Sequence, residues 1–139
     1  MIDYNYETDF TLDNEETFTL WIEEVVASEN KEIGDLAYIF CDDNYLLEIN
    51  QQFLNHDDLT DIISFDYTEG DTVSGDIFIS IERVADNAND LGVPFDEELK
   101  RVIIHGVLHY CGYKDKSDKD AVLMRLKEDE KIKMFHVKH

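Results

Sequence analysis

Between Phe95 and Cys111 the chain runs from a polar first turn, Asp96-Glu97-Glu98, into a stretch that constrains the fold more than any other. Val102, Ile103, Ile104, Val107 and Leu108 point in nearly every direction around a 3.6-residue helix. Such a helix has no face to give to water, so it belongs in the core with other elements packed around it. Gly92-Val93-Pro94 breaks the chain ahead of it, and Gly112 is placed to stop it in a left-handed cap. Two histidines, His105 and His109, stand inside this run four residues apart. That spacing puts both on one face, with Cβ atoms roughly 6 Å apart. A buried polar group without a partner costs on the order of 1–3 kcal/mol. One metal ion would serve both imidazoles at once; two core histidines bonded to carbonyls satisfy the same spacing. Gly106 between them costs about 1 kcal/mol against alanine in a helix, which predicts close backbone packing beside the pair.

The elements around this helix follow from period and punctuation. A weak first strand falls at residues 2–6. Asp13 or Asn14 caps a helix running to about Asn30, with Phe18, Leu20, Trp21, Ile22, Val25 and Val26 on its apolar side. Asp35 to Phe40 reads as a strand introduced by Gly34, and Asp42 or Asp43 caps a second helix carrying Leu46, Leu47, Ile49, Phe53 and Leu54. Residues 55–60 form a polar loop. Ile62 to Tyr67 and Gly75 to Ser80 are strands rich in β-branched and aromatic residues. Ser80 caps a helix from Ile81 to Leu91, and a last helix spans about Asp118 to Met134. The order β-α-β-α-β-β-α-α-α predicts one parallel pair early, one antiparallel pair later, and a mixed sheet of about four strands covered by helices. The expected fold is α+β with α/β character, a single domain over residues 1–139 with the histidine helix in its core. A chain of 139 residues suffices for one such core and not for two.

Charge restricts the partners. The net charge is −21, and it is unevenly placed. Eight basic and six acidic residues fall in 114–139, which leaves the first 113 residues with 4 basic against 27 acidic ones, a balance of −23. A field of that sign repels phosphate backbones at long range. A nucleic-acid substrate therefore needs a local positive element, such as a metal or the basic final helix. The acidic, polar start of the chain lacks a signal-peptide pattern, and no run of 18 apolar residues is present, so no membrane partner is expected. Two cysteines, Cys41 and Cys111, cannot build a disulfide framework and fit a reduced, cytoplasmic location.

Past Gly112 the chain turns through Tyr113 and Lys114 to Asp115, six residues beyond His109. A carboxylate there can fold back to complete a three-donor set that leaves positions open for water, as a catalytic metal requires. The general-base glutamate of a zinc protease is absent, because Gly106 occupies its place.

The run His105-Gly106-Val107-Leu108-His109-Tyr110-Cys111-Gly112-Tyr113-Lys114-Asp115 closely resembles the signature H-G-x-L-H-x-x-G-Y-D-H of the YbeY family, bacterial metal-dependent endoribonucleases of ribosomal RNA maturation. Thr60-Asp61-Ile62-Ile63-Ser64-Phe65 looks like that family's T-D-V-L-S-F strand, and Gly75-Asp76-Ile77 like its G-D-I strand. Order and separation agree across essentially the whole chain. Three departures stand out. Asp115 replaces the usual third histidine, Lys114 the preceding aspartate, and Leu54 stands where the family tends to carry an arginine. Two histidines and one carboxylate suit zinc first, and also manganese, nickel or ferrous iron.

The resemblance implies a single-strand endoribonuclease of ribosomal RNA processing and small-subunit maturation. Its metal, one divalent transition ion and zinc first, sits on His105, His109 and Asp115. Ribosomal RNA and the small ribosomal subunit are the partners, and no DNA is expected. Thr60, Ser64, Asp76 and Tyr113 are placed at the substrate cleft, and Arg125 and Lys127 offer an RNA surface. The alternatives are a non-catalytic ribosome-assembly or rRNA-binding factor with a structural metal, and a metal hydrolase of a small phosphoester or amide. Elsewhere, His136 and His139 read as a frayed tail and His56 as a loop residue. Cys111, Phe65, Tyr67 and Tyr110 read as core packing. Asp57, Asp58 and Asp61 form an acidic patch, and Lys131 and Lys133 belong to the solvated face of the last helix.

Overall fold

The computed structural model describes residues 1–54 and 59–138. Nine elements follow in chain order: β1 (Ile2–Tyr6), α1 (Glu15–Ser28), β2 (Glu32–Cys41), α2 (Asp43–Leu54), β3 (Ile62–Asp66), β4 (Thr72–Ser80), α3 (Ile81–Leu91), α4 (Phe95–Tyr110) and α5 (Asp118–Lys138). The strands form one mixed sheet in the order β1-β2-β4-β3. β1 and β4 both run parallel to β2, and β3 returns antiparallel on β4, with Ser64 opposite Ile77. The fold is α+β, as the pattern predicts.

Side-chain alternation divides the sheet into two faces. Leu36, Tyr38, Phe40, Ile77 and Ile79 join the large core cluster with α1, α4 and α5. On the other face Ile63, Cys41 and Leu46 gather Phe65, Phe78, Tyr45 and Ile49 under α2. α4 is covered as its sequence requires: Val102, Ile103, Ile104, Val107 and Leu108 are all at most 4% exposed. Gly106 is where α4 meets the sheet, since a Cβ there would stand 2.9 Å from Ile77 Cδ1 and 3.2 Å from Ile62 Cδ1. Tyr38 and Tyr110 then tie α4 across the layers: Tyr38 donates to the Ile103 carbonyl at 2.9 Å, and Tyr110 to the Phe65 carbonyl at 2.9 Å. Each bond of this kind contributes about 1 kcal/mol net.

Several boundaries depart from the sequence reading. β2 begins at Glu32 rather than Asp35, with Gly34 inside it at an irregularity in the pairing with β4. A side chain at Gly34 would collide with Ser74 and Thr72, so glycine here permits close strand approach and does not break the strand. Asn14 precedes α1 in a left-handed conformation without a side-chain cap, whereas Asp42 and Ser80 both cap, accepting from Tyr45 N at 2.8 Å and Arg83 N at 3.2 Å. α5 continues past Met134 to Lys138, so His136 is helical and not part of a frayed tail. The reason is Phe135, whose ring packs edge-on against Trp21 with centroids 5.1 Å apart. Tyr67 is 59% exposed and lies outside the core. Among the described residues no helix is long and apolar enough to cross a membrane.

Candidate metal centre

α4 presents His105 and His109 on one face, and the chain after Gly112 brings Asp115 back over them. Gly112 has φ +106°, a conformation that favours glycine and lets the chain reverse within one residue of the helix end. The three ligand atoms converge. His105 Nε2 lies 3.0 Å from His109 Nε2, and Asp115 Oδ2 lies 3.2 Å and 3.3 Å from them. Donors bound to one zinc at about 2.0–2.2 Å in a tetrahedral arrangement are separated by roughly 3.3 Å, so this set fits such an ion.

The other nitrogen of each ring fixes its tautomer. His105 Nδ1 meets Glu128 Oε2 at 2.6 Å, and His109 Nδ1 meets the Tyr113 carbonyl at 2.9 Å. Both partners are acceptors, so each Nδ1 carries the hydrogen and donates it. Each Nε2 then turns a bare lone pair toward the other and toward a carboxylate oxygen. Three acceptors facing one point repel one another unless a cation or a proton stands between them. For His105, burial opposes charging, but the Glu128 bond and the carboxylates of Glu128, Asp115 and Asp61 outweigh it, and the pKa is raised above 6.5.

A second layer holds these groups. Glu128 is 5% exposed and receives Arg101 Nη1 at 2.9 Å on its other oxygen, while Arg101 Nη2 reaches Asp129 at 2.7 Å. The Tyr113 ring turns away from the site: its hydroxyl donates to Glu29 at 2.6 Å, and Lys131, buried, pairs with the same carboxylate at 2.8 Å. Lys127 lies over that ring and pairs with Glu29 and Glu130. Lys131 is therefore not on a solvated face, and Lys127 is engaged beside Tyr113 rather than at the cleft.

The site opens into a cleft of about 450 Å³ lined by Thr60, Asp61, Ile62, Ser64, Glu98, Arg101, Val102, His105, His109, Asp115, Arg125 and Glu128. Thr60 and Ser64, expected at a substrate cleft, line it, and so does Arg125, expected on an RNA surface. Asp76 and Tyr113 do not line it. Along β4 the side chains alternate, and Ile77 faces α4, so Asp76 faces the α2 side. Leu54 lines an adjoining groove with Thr60 and Ser64. His56, Asp57, Asp58 and His139 lie outside the described residues. Sequence reasoning missed Glu98, Arg101 and Glu128. The first two share the histidine face of α4 at helical spacing, a signal present in the sequence. Glu128 carries none, because α5 has no single apolar stripe to orient it.

Paired histidines on a buried helix with a carboxylate folded over them, open to a cleft, form a group that could hold a metal ion and leave positions open for water. The whole chain matches known proteins in that light. Residues 3–136 match the family described as Endoribonuclease YbeY. The Endoribonuclease YbeY of Flavobacterium psychrophilum is 68% identical over 138 residues, covering 99% of both chains. That of Christiangramia forsetii is 57% identical over 136 residues, 98% of this chain and 95% of the relative. The solution structure of a Thermotoga maritima protein superposes with a TM-score of 0.70 at 28% identity, over 97% of this chain and 89% of that one. The chain belongs to the YbeY family.

Proposed function

We propose that this chain is a metal-dependent endoribonuclease that cleaves single-stranded RNA in ribosomal RNA processing and small-subunit maturation, in the cytoplasm. The observation that carries the chemistry is the convergence of three ligand atoms, His105 Nε2, His109 Nε2 and Asp115 Oδ2, within 3.3 Å of one another. The name its relatives share supplies the RNA substrate.

A divalent cation held by these three residues, zinc first, supplies Lewis acidity toward water and a phosphoryl oxygen. Glu128 and the Tyr113 carbonyl keep both imidazoles in the tautomer that offers Nε2. Arg125 is exposed on the cleft wall and makes no ion pair among the described residues, so its guanidinium is available to a phosphate oxygen. The Thr60 hydroxyl donates to the Ile62 carbonyl at 3.3 Å and leaves its oxygen as an acceptor for a ribose hydroxyl. Ser64 stands beside it on the same wall. The cation offsets the acidic surroundings at the one place where phosphate must approach.

The test is metal content by elemental analysis, with cleavage of an unstructured RNA oligonucleotide, for wild type and His109→Ala. One equivalent of metal in wild type, and loss of both metal and cleavage in the variant, is the expected result. Full cleavage by metal-free wild-type protein refutes the reading.

A further inference from the structure

Glu98 is 6% exposed, yet it accepts no hydrogen bond among the described residues. Its carboxylate lines the metal cleft and faces Asp61 from the segment before β3, Arg101 on its own helix, and Arg125 and Glu128 on α5. Neither arginine supplies a donor to it: Arg101 is held by Glu128 and Asp129, and Arg125 acts on it only through space. Asp61, by contrast, accepts from its own backbone N–H and from the Asn87 amide at 3.4 Å. Burial, together with Asp61, raises the Glu98 pKa, as expected of a carboxylate short of donors. A carboxylate on a residue only 6% exposed, with its oxygens turned to a cleft and no donor on them among the described residues, is placed to take a ligand that donates. Among the described residues the three-donor set within 4.8 Å is His105, His109 and Asp115, so Glu98 does not belong to a metal cluster.

Its position along α4 says which ligand. Glu98 and His105 lie seven residues apart on one face, a rise of about 10 Å. That is close to the reach of one nucleotide from its phosphate to the Watson–Crick edge of its base. With a phosphate at the histidines, the base edge arrives at Glu98, in a cleft whose apolar lining includes Ile62 and Val102. We infer that Glu98 is the base-reading group of a nucleotide subsite in this cleft and that the base it takes is guanine, an inference that rests on the endoribonuclease reading for where the phosphate sits. A carboxylate offers two parallel acceptors. Guanine alone among the four bases presents two adjacent donors, N1–H and the N2 amine, on its Watson–Crick edge, the edge proteins read in single-stranded RNA. Adenine, cytosine and uracil each turn an acceptor toward one carboxylate oxygen, which repels.

Zinc-loaded wild type and Glu98→Gln are compared in two assays. Unstructured oligonucleotides carry guanosine, inosine or adenosine at each position around the cleaved bond, and calorimetry measures binding of guanosine, inosine and adenosine 5′-monophosphates. Inosine lacks only the N2 amine, so wild type tests the idea without any variant. The expected result is a preference for guanosine over both others of about tenfold or more at one position, with the same order in monophosphate binding, and its collapse in Glu98→Gln. Equal handling of guanosine and inosine by wild type, or an undiminished preference in Glu98→Gln, overturns the inference. Absence of cleavage of every oligonucleotide by zinc-loaded wild type is instead the failure of the endoribonuclease reading. In that case the monophosphate series alone decides the subsite by the same two criteria.

Discussion

Glu128→Gln isolates the electrostatic part of the hold on His105. In wild type the carboxylate accepts His105 Nδ1–H at 2.6 Å and Arg101 Nη1 at 2.9 Å from a position 5% exposed. The amide can keep one acceptor on the imidazole, but it removes the negative charge that makes Nε2 a better donor to a metal. It also leaves Arg101 facing an N–H group. Removing a partner of this kind typically lowers metal affinity 10–100-fold, about 1.4–2.8 kcal/mol. Competition against a chromophoric chelator, at fixed pH and ionic strength, measures the change in zinc affinity directly. Circular dichroism confirms that the variant is folded before the comparison is made. A zinc affinity within twofold of wild type refutes the reasoning, because it would mean that Glu128 serves Arg101 and not the metal ligand.

Two further outcomes follow from the same geometry. In chelated protein the raised pKa of His105 contributes stability that is complete below its unfolded value near 6.5 and is lost as pH rises through the raised folded value. Thermal melts at pH 6 and pH 8 therefore favour the acid side for wild type relative to His105→Gln, and an identical pH dependence in the two proteins counts against it. Gly75→Ala places a Cβ 2.6 Å from Tyr110 Cζ and against the Phe65 carbonyl, so urea denaturation should show a loss of about 1–3 kcal/mol from overpacking. An unchanged midpoint would show that both Tyr110 and the β3 backbone at Phe65 move aside freely.

Much of the fold is written in local pattern. α4 declares its burial because its apolar residues leave no polar face, and Asp115 is visible as a third donor because Gly112 fixes where the chain turns back. The features that escaped are those whose cause lies across the chain. Gly34 looks like punctuation until Ser74 and Thr72 arrive beside it on β4. Phe135 extends α5 because Phe18 and Trp21, more than 110 positions earlier, pack against its ring. Asp76 came from a resemblance, and the two-residue alternation with Ile77 sets it on the far side of the sheet. Glu98, Glu128 and Lys131 are charged residues in nearly sealed positions. Only Glu98 is marked, by its helical spacing to the histidines; Glu128 and Lys131 are not, since burial of their charges is decided by partners such as Arg101 and Glu29 that sequence distance conceals.

The turn carrying Asp115, the third ligand proposed, is fastened at several points. Tyr113 gives its carbonyl to His109 and its hydroxyl to Glu29, and Glu29 is gripped in turn by Lys131. A segment tied to α1 and α5 in this way is not free to swing out as a lid over the cleft. The disorder of the ligands is removed when the protein folds and not when an ion arrives. The metal capture proposed for this site then needs no loop closure.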